Sequence, residues 1–549
     1  MLASDLNAVV ANGVAPVTLT LSVRNAAQMP LAGLPVVWAS SGSDNQLSAD
    51  AGTTNASGVT TTLLRSTRAE PKTVTARIGT WTMTRTIDFT AGPPTLGNSS
   101  IVVSPNPGTV DGGSPNPLVV TVTLADAFNN PVSGAPVALT ASGGTPFVFN
   151  PQAGSTNASG AFVSSLSSPI IQRQTVTATS GSVVLRANAS WVCANAPRYV
   201  AMPAVPTGGN IAQCIGSGDF DGDGRKDLVV GNAGSSDLSV MMGNGQGGVR
   251  LVGRRPLSAA AGSNAVVAVA VRDLDRDSRD DVLTANWFWG SFDSFLGQAD
   301  GGLSTPVTRG SGGFTSGFAF GDFDRDGRDD LFAAVGGLPY NATTAFRGLV
   351  DGGFEYVGGV TANNSNGVAG GDLNGDGLAD MAIAQSSATH LGVAFSLGDG
   401  GFTTPVGYPG CAGGATFVTE ADVDRDGRLD VITVETSCNT ITVYLGNGNG
   451  TLRATTPIGV GTTPFGIATL DANGDGLVDV ATANRGSGSV SLLLGHGDGG
   501  FRAPIGVDAG GGSISITVND FNGDGLPDLA TANVSSNDMT VLLQSGCLP

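Results

Sequence analysis

From residue 219 onward one acidic nonapeptide recurs seven times, and its spacing restricts the fold more than any other feature of the chain. The copies are DFDGDGRKD at Asp219, DLDRDSRDD at Asp273, DFDRDGRDD at Asp322, DLNGDGLAD at Asp372, DVDRDGRLD at Asp422, DANGDGLVD at Asp471 and DFNGDGLPD at Asp520. They follow one another at 54, 49, 50, 50, 49 and 49 residues. A strand of small residues precedes each copy, as at 465–470, and an apolar strand follows it, as at 228–232. A polar loop, a third strand, a glycine-rich turn and a fourth strand complete the unit. Four short strands per repeat, seven times over, predict a seven-bladed β-propeller. Segment 197–205 is one strand too many for the first repeat, and the last repeat ends before its fourth strand. The early strand is therefore expected to complete the last blade and close the ring.

The nonapeptide reads D-x-[DN]-x-[DN]-G-x-x-D, the front half of an EF-hand loop closed by Asp at position nine. Alternate oxygen side chains converge as the backbone curls, glycine at position six allows the sharp turn, and position seven offers its carbonyl. Hard oxygen ligands in that number select Ca²⁺ over Zn²⁺, which prefers nitrogen and sulfur. The expected side-chain ligands are Asp219, Asp221, Asp223 and Asp227; Asp273, Asp275, Asp277 and Asp281; and Asp322, Asp324, Asp326 and Asp330. The remaining loops offer Asp372, Asn374, Asp376 and Asp380; Asp422, Asp424, Asp426 and Asp430; Asp471, Asn473, Asp475 and Asp479; and Asp520, Asn522, Asp524 and Asp528. Carbonyls would come from Arg225, Arg279, Arg328, Leu378, Arg428, Leu477 and Leu526. Of the 45 acidic residues, 25 are Asp at these positions, and so many carboxylates repel one another unless cations sit among them. About seven structural Ca²⁺ are expected. Ser278 stands where the other six loops have glycine.

The chain from about 195 onward resembles the FG-GAP/VCBS repeats of integrin α-subunit heads and many bacterial surface proteins. The segment Gly-Gly-Phe-x-x-Pro-x-Gly at 400–407 carries the phenylalanine–glycine element. The resemblance implies that calcium is structural, bracing the hairpin between the first two strands of each blade, with ligands taken on the opposite face.

A second repeat lies upstream. Ala51-Gly-Thr-Thr-Asn-Ala-Ser-Gly58 recurs as Ala153-Gly-Ser-Thr-Asn-Ala-Ser-Gly160, with alternating strands around both copies, which reads as two β-sandwiches. The patterns VTLTLSVRN, TNASGVTTTLL and KTVTA resemble bacterial Ig-like domains of the invasin/intimin type, which serve as stalks. The expected architecture is all-β: Ig-like domains at 1–94 and 95–193, then the propeller at 194–549.

Composition narrows the function. A formal charge of −19, with two Lys and 24 Arg, argues against nucleic acid as a partner, and no apolar run approaches the ~18 residues of a membrane span. Met1–Asp5 lacks the basic and apolar regions of a signal peptide, as expected of a processed protein or an excised fragment. Cys193 is expected to pair with Cys547 across the ring seam and Cys411 with Cys438 on the far face, leaving Cys214 a buried thiol. Two bridges imply an oxidising compartment: extracellular, bacterial cell surface, or periplasmic and outer-membrane associated. His390 and His496 are read as polar surface residues of blade turns.

The leading expectation is a non-enzymatic binding or adhesion protein that takes a glycan or a surface protein. A spacer within a larger adhesin is the alternative, and a polysaccharide lyase on a propeller scaffold a weaker one. The expected ligand surface lies away from the acidic loops. Trp287 and Trp289 lie in one of its loops, Tyr340 in the next, and Tyr408 in the connection into the fifth blade. Alternation along an extended segment would set both tryptophans on one side.

Overall fold

The computed structural model describes the whole chain except residues 112–113, 143–146, 169–171, 194–195, 258–265, 288–289, 337–341, 363, 387–389 and 548–549. Trp289 and Tyr340 therefore lie outside the described residues. Every regular element among the described residues is a strand, apart from a 3₁₀ turn at Leu96–Asn98 and the 3₁₀ backbone at Trp287. No helix is long and apolar enough to cross a membrane. The chain divides into two compact units, Met1–Val192 and Cys193–Pro549.

The first unit holds two sandwiches built alike. In the first, a four-stranded sheet with Val17–Ser22 and Val59–Ser66 at its centre faces a five-stranded sheet containing Trp81–Thr90, Pro71–Ile78 and Pro35–Ser40. Strict alternation in VTLTLS buries Val17, Leu19 and Leu21 against Trp38, Leu64, Val74 and Ile87. The second sandwich repeats the arrangement around Leu118, Val120, Leu166, Val176 and Trp191. Between the two, buried Asn130 accepts the Ala69 amide at 2.9 Å and donates to the Thr67 carbonyl at 2.8 Å. Asp126 accepts the Gly92 amide at 2.9 Å beside it.

The second unit is seven antiparallel sheets of four principal strands each. In every sheet the nonapeptide joins the first strand to the second. The first sheet runs Ala212–Gly218, Asp227–Asn232, Asp237–Gly243 and Val249–Pro256, and the next five follow the same order. The second strands are wholly buried in six-residue runs such as Asp479–Asn484 and Asp528–Asn533, so both of their faces are covered and no alternate residue is left to solvent. The seventh sheet takes its fourth strand from the front of the unit, where Pro197–Ala201 pairs with Asp538–Cys547. Its first strand, Ser513–Asn519, lies beside that of the first sheet: Ser217 Oγ is 2.8 Å from Thr517 Oγ1, and Asn519 Nδ2 donates to Ser217 Oγ at 3.1 Å.

Candidate functional site: seven acidic loops and a central cavity

The loop geometry follows from three backbone demands met by side chains. Position six adopts left-handed φ, from 78° to 83° at the six glycines and 71° at Ser278. This turn aims its amide at the position-one carboxylate in all seven loops, at 2.8 Å for Gly224 to Asp219 and 3.0 Å for Ser278 to Asp273. Ser278 thus reproduces the glycine geometry at the strain of a side chain in the left-handed region. Ser278→Gly is expected to raise stability by about 1 kcal/mol, read as a small rise in melting temperature with calcium content unchanged.

Position nine has a structural duty that spacing does not reveal. One oxygen of its carboxylate accepts the amide of position two, as from Phe220 to Asp227 at 3.0 Å and from Ala472 to Asp479 at 2.8 Å. The other accepts an amide at the end of the same sheet's third strand, as from Gly243, Gly446 and Gln544 to Asp227, Asp430 and Asp528, each at 2.8 Å. The same two bonds occur in all seven sheets. Burial pushes these carboxyls up to about 6 in the first five loops and about 7 at Asp479 and Asp528, with neighbouring loop carboxylates adding to the rise.

In four loops the carboxylates of positions one, three and nine bring ligand oxygens within 4.8 Å of one another: Asp219, Asp221 and Asp227; Asp273, Asp275 and Asp281; Asp322, Asp324 and Asp330; Asp422, Asp424 and Asp430. The other three loops carry Asn at position three, and its amide donates to the position-five carboxylate, at 2.8 Å from Asn473 to Asp475. Position seven tracks this choice. Where position three is Asp, position seven is Arg, and Arg225, Arg279, Arg328 and Arg428 pair with Asp223, Asp277, Asp326 and Asp426. Where position three is Asn, position seven is Leu. Each extra carboxylate is thereby offset, and positions one, three, five, seven and nine carry a formal −3 in every loop. The donor set fits a hard divalent cation, and Asp322 Oδ1 is a buried oxygen without a hydrogen-bond partner. Adjoining loops are also linked, since Arg276 and Arg325 donate to the carbonyls of Gly327 and Asp376 in the following loops.

The opposite ends of the sheets differ in chemistry. A cavity of about 320 Å³ is lined by the first strands of all seven sheets, near the ends at which those strands begin, and by Trp287. The second strand of the second sheet ends at Asn286, so Trp287 lies beyond the extended segment expected to carry it. Trp287 is half-buried and stacks on Phe314 at 5.6 Å between ring centroids. Tyr408 belongs to the packing instead. Its ring meets Tyr444 edge-on, and its hydroxyl donates to the Gly450 carbonyl and accepts the Leu452 amide. His390 corrects the surface reading, being buried with Nδ1 accepting the Gly410 amide at 2.8 Å, whereas His496 is exposed. Cys193–Cys547 and Cys411–Cys438 are bonded, and Cys214 is a buried free thiol pushed up to about 12 by burial.

Buried Asn residues closing the second strands went unread in the sequence. Asn232, Asn484 and Asn533 donate to side chains of the following hairpin, as from Asn484 to Ser491 Oγ at 3.0 Å. The recurring A-N or G-N at strand ends was the available signal.

The repeats at residues 219–284, 322–383, 372–433, 422–482 and 471–531 match the FG-GAP-like repeat and together span half of the chain. The chain belongs to the FG-GAP-like repeat family. Its N-terminal third matches the bacterial Ig-like domain (group 1) at residues 1–90 and 98–192. No curated protein sequence matches the chain. Solved structures similar to this FG-GAP-like protein include the D0-D1 domain of intimin, at 22% identity over 34% of this chain and 94% of that one, with a TM-score of 0.17. Invasin, titled a bacterial integrin-binding protein, is 16% identical over 78% and 81%, with a TM-score of 0.22. A putative 6-phosphogluconolactonase from Bacteroides uniformis is 16% identical over 61% and 92%, with a TM-score of 0.42.

Proposed function

We propose that the chain is an adhesin-like protein of the bacterial surface or exterior, in which a calcium-braced propeller takes a glycan or protein ligand on the face away from its acidic loops. The observation that carries this reading is the division of chemistry between the two ends of the sheets. All seven acidic loops gather carboxylates at one end, and an uncharged cavity opens at the other. Tandem Ig-like domains beside FG-GAP-like repeats favour adhesion over catalysis.

Closure of the seven sheets into a ring is supported by the contact of the first and seventh first strands and by Pro197–Ala201 joining the seventh sheet. A calcium ion in each loop would be held by positions one, three, five and nine and the position-seven carbonyl. It would supply the counter-charge that the buried position-nine carboxylates call for. The two disulfides support an oxidising location.

Glycan and host-surface protein arrays, run with calcium and with chelator, test the reading. Calcium-dependent binding is expected, abolished by Trp287→Ala with Trp289→Ala while calcium content and melting temperature hold. Equal binding after chelation, or no binding on either array, would sink it.

A further inference from the structure

The cavity lining is sharply unlike the chain around it. In a protein with 45 acidic and 26 basic residues, no ionisable side chain among the described residues other than the Cys214 thiol lines this space. Among these lining residues an anionic ligand would find no cation and a cationic ligand no carboxylate, which favours an uncharged occupant. The walls are partly aromatic. Trp287 has one face against Phe314, while Phe417 and Phe465 lie edge to face at 6.2 Å across neighbouring first strands.

Two amides, beside the hydroxyls of Ser316, Thr416 and Ser515, break the apolar surface. Gln213 makes no side-chain hydrogen bond among the described residues, and Asn366 Nδ2 donates to the Ala415 carbonyl at 3.0 Å, which leaves its Oδ1 free to accept. Covering these groups with a purely apolar side chain would leave them unpartnered, a net penalty on binding. A ring with an apolar C–H face and hydroxyls at its edge satisfies both kinds of wall. The cavity volume of about 320 Å³ also lies at the small end of ligand sites.

We infer that this cavity binds a single neutral pyranose, stacked on an aromatic wall and hydrogen-bonded by Gln213 and Asn366. The inference rests on the ligand-face reading above and names its ligand class and its place. The site is central to the seven sheets rather than spread over the loops of the second and third.

The test uses the full chain in calcium. Methyl glycosides of glucose, galactose, mannose and N-acetylglucosamine are titrated by saturation-transfer NMR and tryptophan fluorescence, beside methyl glucuronide and N-acetyl-phenylalanine amide. At least one neutral glycoside is expected to bind, and methyl glucuronide is not. Gln213→Ala and Trp287→Ala are each expected to weaken that binding about tenfold. Gln213 has no side-chain hydrogen-bond partner to lose among the described residues, so its variant carries the test if Trp287→Ala does not fold.

Binding unchanged in Gln213→Ala, equal binding of the glucuronide, or binding of the phenylalanine amide in place of every glycoside overturns the inference. Cell attachment measured in parallel separates the two readings. Attachment without any glycoside binding removes the sugar site and leaves the adhesin, whereas absence of both removes both.

Discussion

Chelation of calcium is expected to lower the melting temperature of the FG-GAP-like unit sharply. A cation site held a hundredfold above its Kd contributes about 2.7 kcal/mol to the native state. Seven such sites together exceed the roughly 5–15 kcal/mol that separates an ordinary domain from its unfolded chain. Calorimetry with and without chelator, paired with elemental analysis after dialysis against Ca²⁺, checks both halves of the expectation. Close to seven ions per chain and a fall of more than about 10 °C are expected. Two or fewer ions, or a melting temperature unmoved by chelator, would refute it. Asp424→Ala should remove one ion and loosen one sheet while the other six hold theirs.

The metal-free protein should also respond to pH in a defined direction. The position-nine carboxyls have folded values of about 6 to 7, above an ordinary 3.8, because burial disfavours their charged form. A raised folded value means that their contribution is most favourable at low pH and is lost as pH rises through 6 to 7. Chelated protein should therefore melt higher at pH 5.5 than at pH 7.5, both values set by that window. Bound calcium would remove the penalty, since an ion favours the charged form, and the order of the two melting temperatures should then reverse. Chelated protein that melts higher at the upper pH would show that these carboxylates are balanced by something other than a cation.

Legibility in the sequence followed the range of the interactions. The acidic positions were readable because a loop that curls within nine residues has to place its ligands at fixed offsets, and repetition removes chance. Strand pairs were readable for the same reason, each closing through a turn a few residues long. The second bond of the position-nine carboxylate was not, because its donor lies at the end of the third strand, well outside the motif. Arg225 and its equivalents were read only as carbonyl donors, although their covariation with Asp221 and its equivalents was visible once charge was counted loop by loop. Trp287, Tyr408 and His390 depend on what packs across from them in another strand or sheet. No spacing rule distinguishes a stacked tryptophan from an exposed one, or a histidine that caps the Gly410 amide from one in solvent.

Loss of the Cys193–Cys547 bridge is the second large effect. The bond joins residues 354 apart, with a Cα–Cα distance of 5.4 Å, and it fastens the chain just ahead of Pro197–Ala201 to the far end of the strand that segment pairs with. Without it, that seam is held by a short ladder with a register shift between Pro197 and Tyr199, helped by the Tyr199 hydroxyl donating to the Pro527 carbonyl at 2.9 Å. The loop it closes is long, so the chain-entropy contribution is on the order of 5 kcal/mol. Cys411–Cys438 closes a loop of only 27 residues within one sheet and its entry segment, where the estimate falls to about 3.5 kcal/mol. Cys193→Ser with Cys547→Ser should therefore lower the melting temperature more than Cys411→Ser with Cys438→Ser. It alone should raise hydrogen exchange in Pro197–Ala201 and Asp538–Cys547 ahead of global unfolding. Equal losses from the two pairs, or exchange at the seam no faster than elsewhere, would mean that hydrogen bonding and packing across the seventh sheet hold that edge without the bridge.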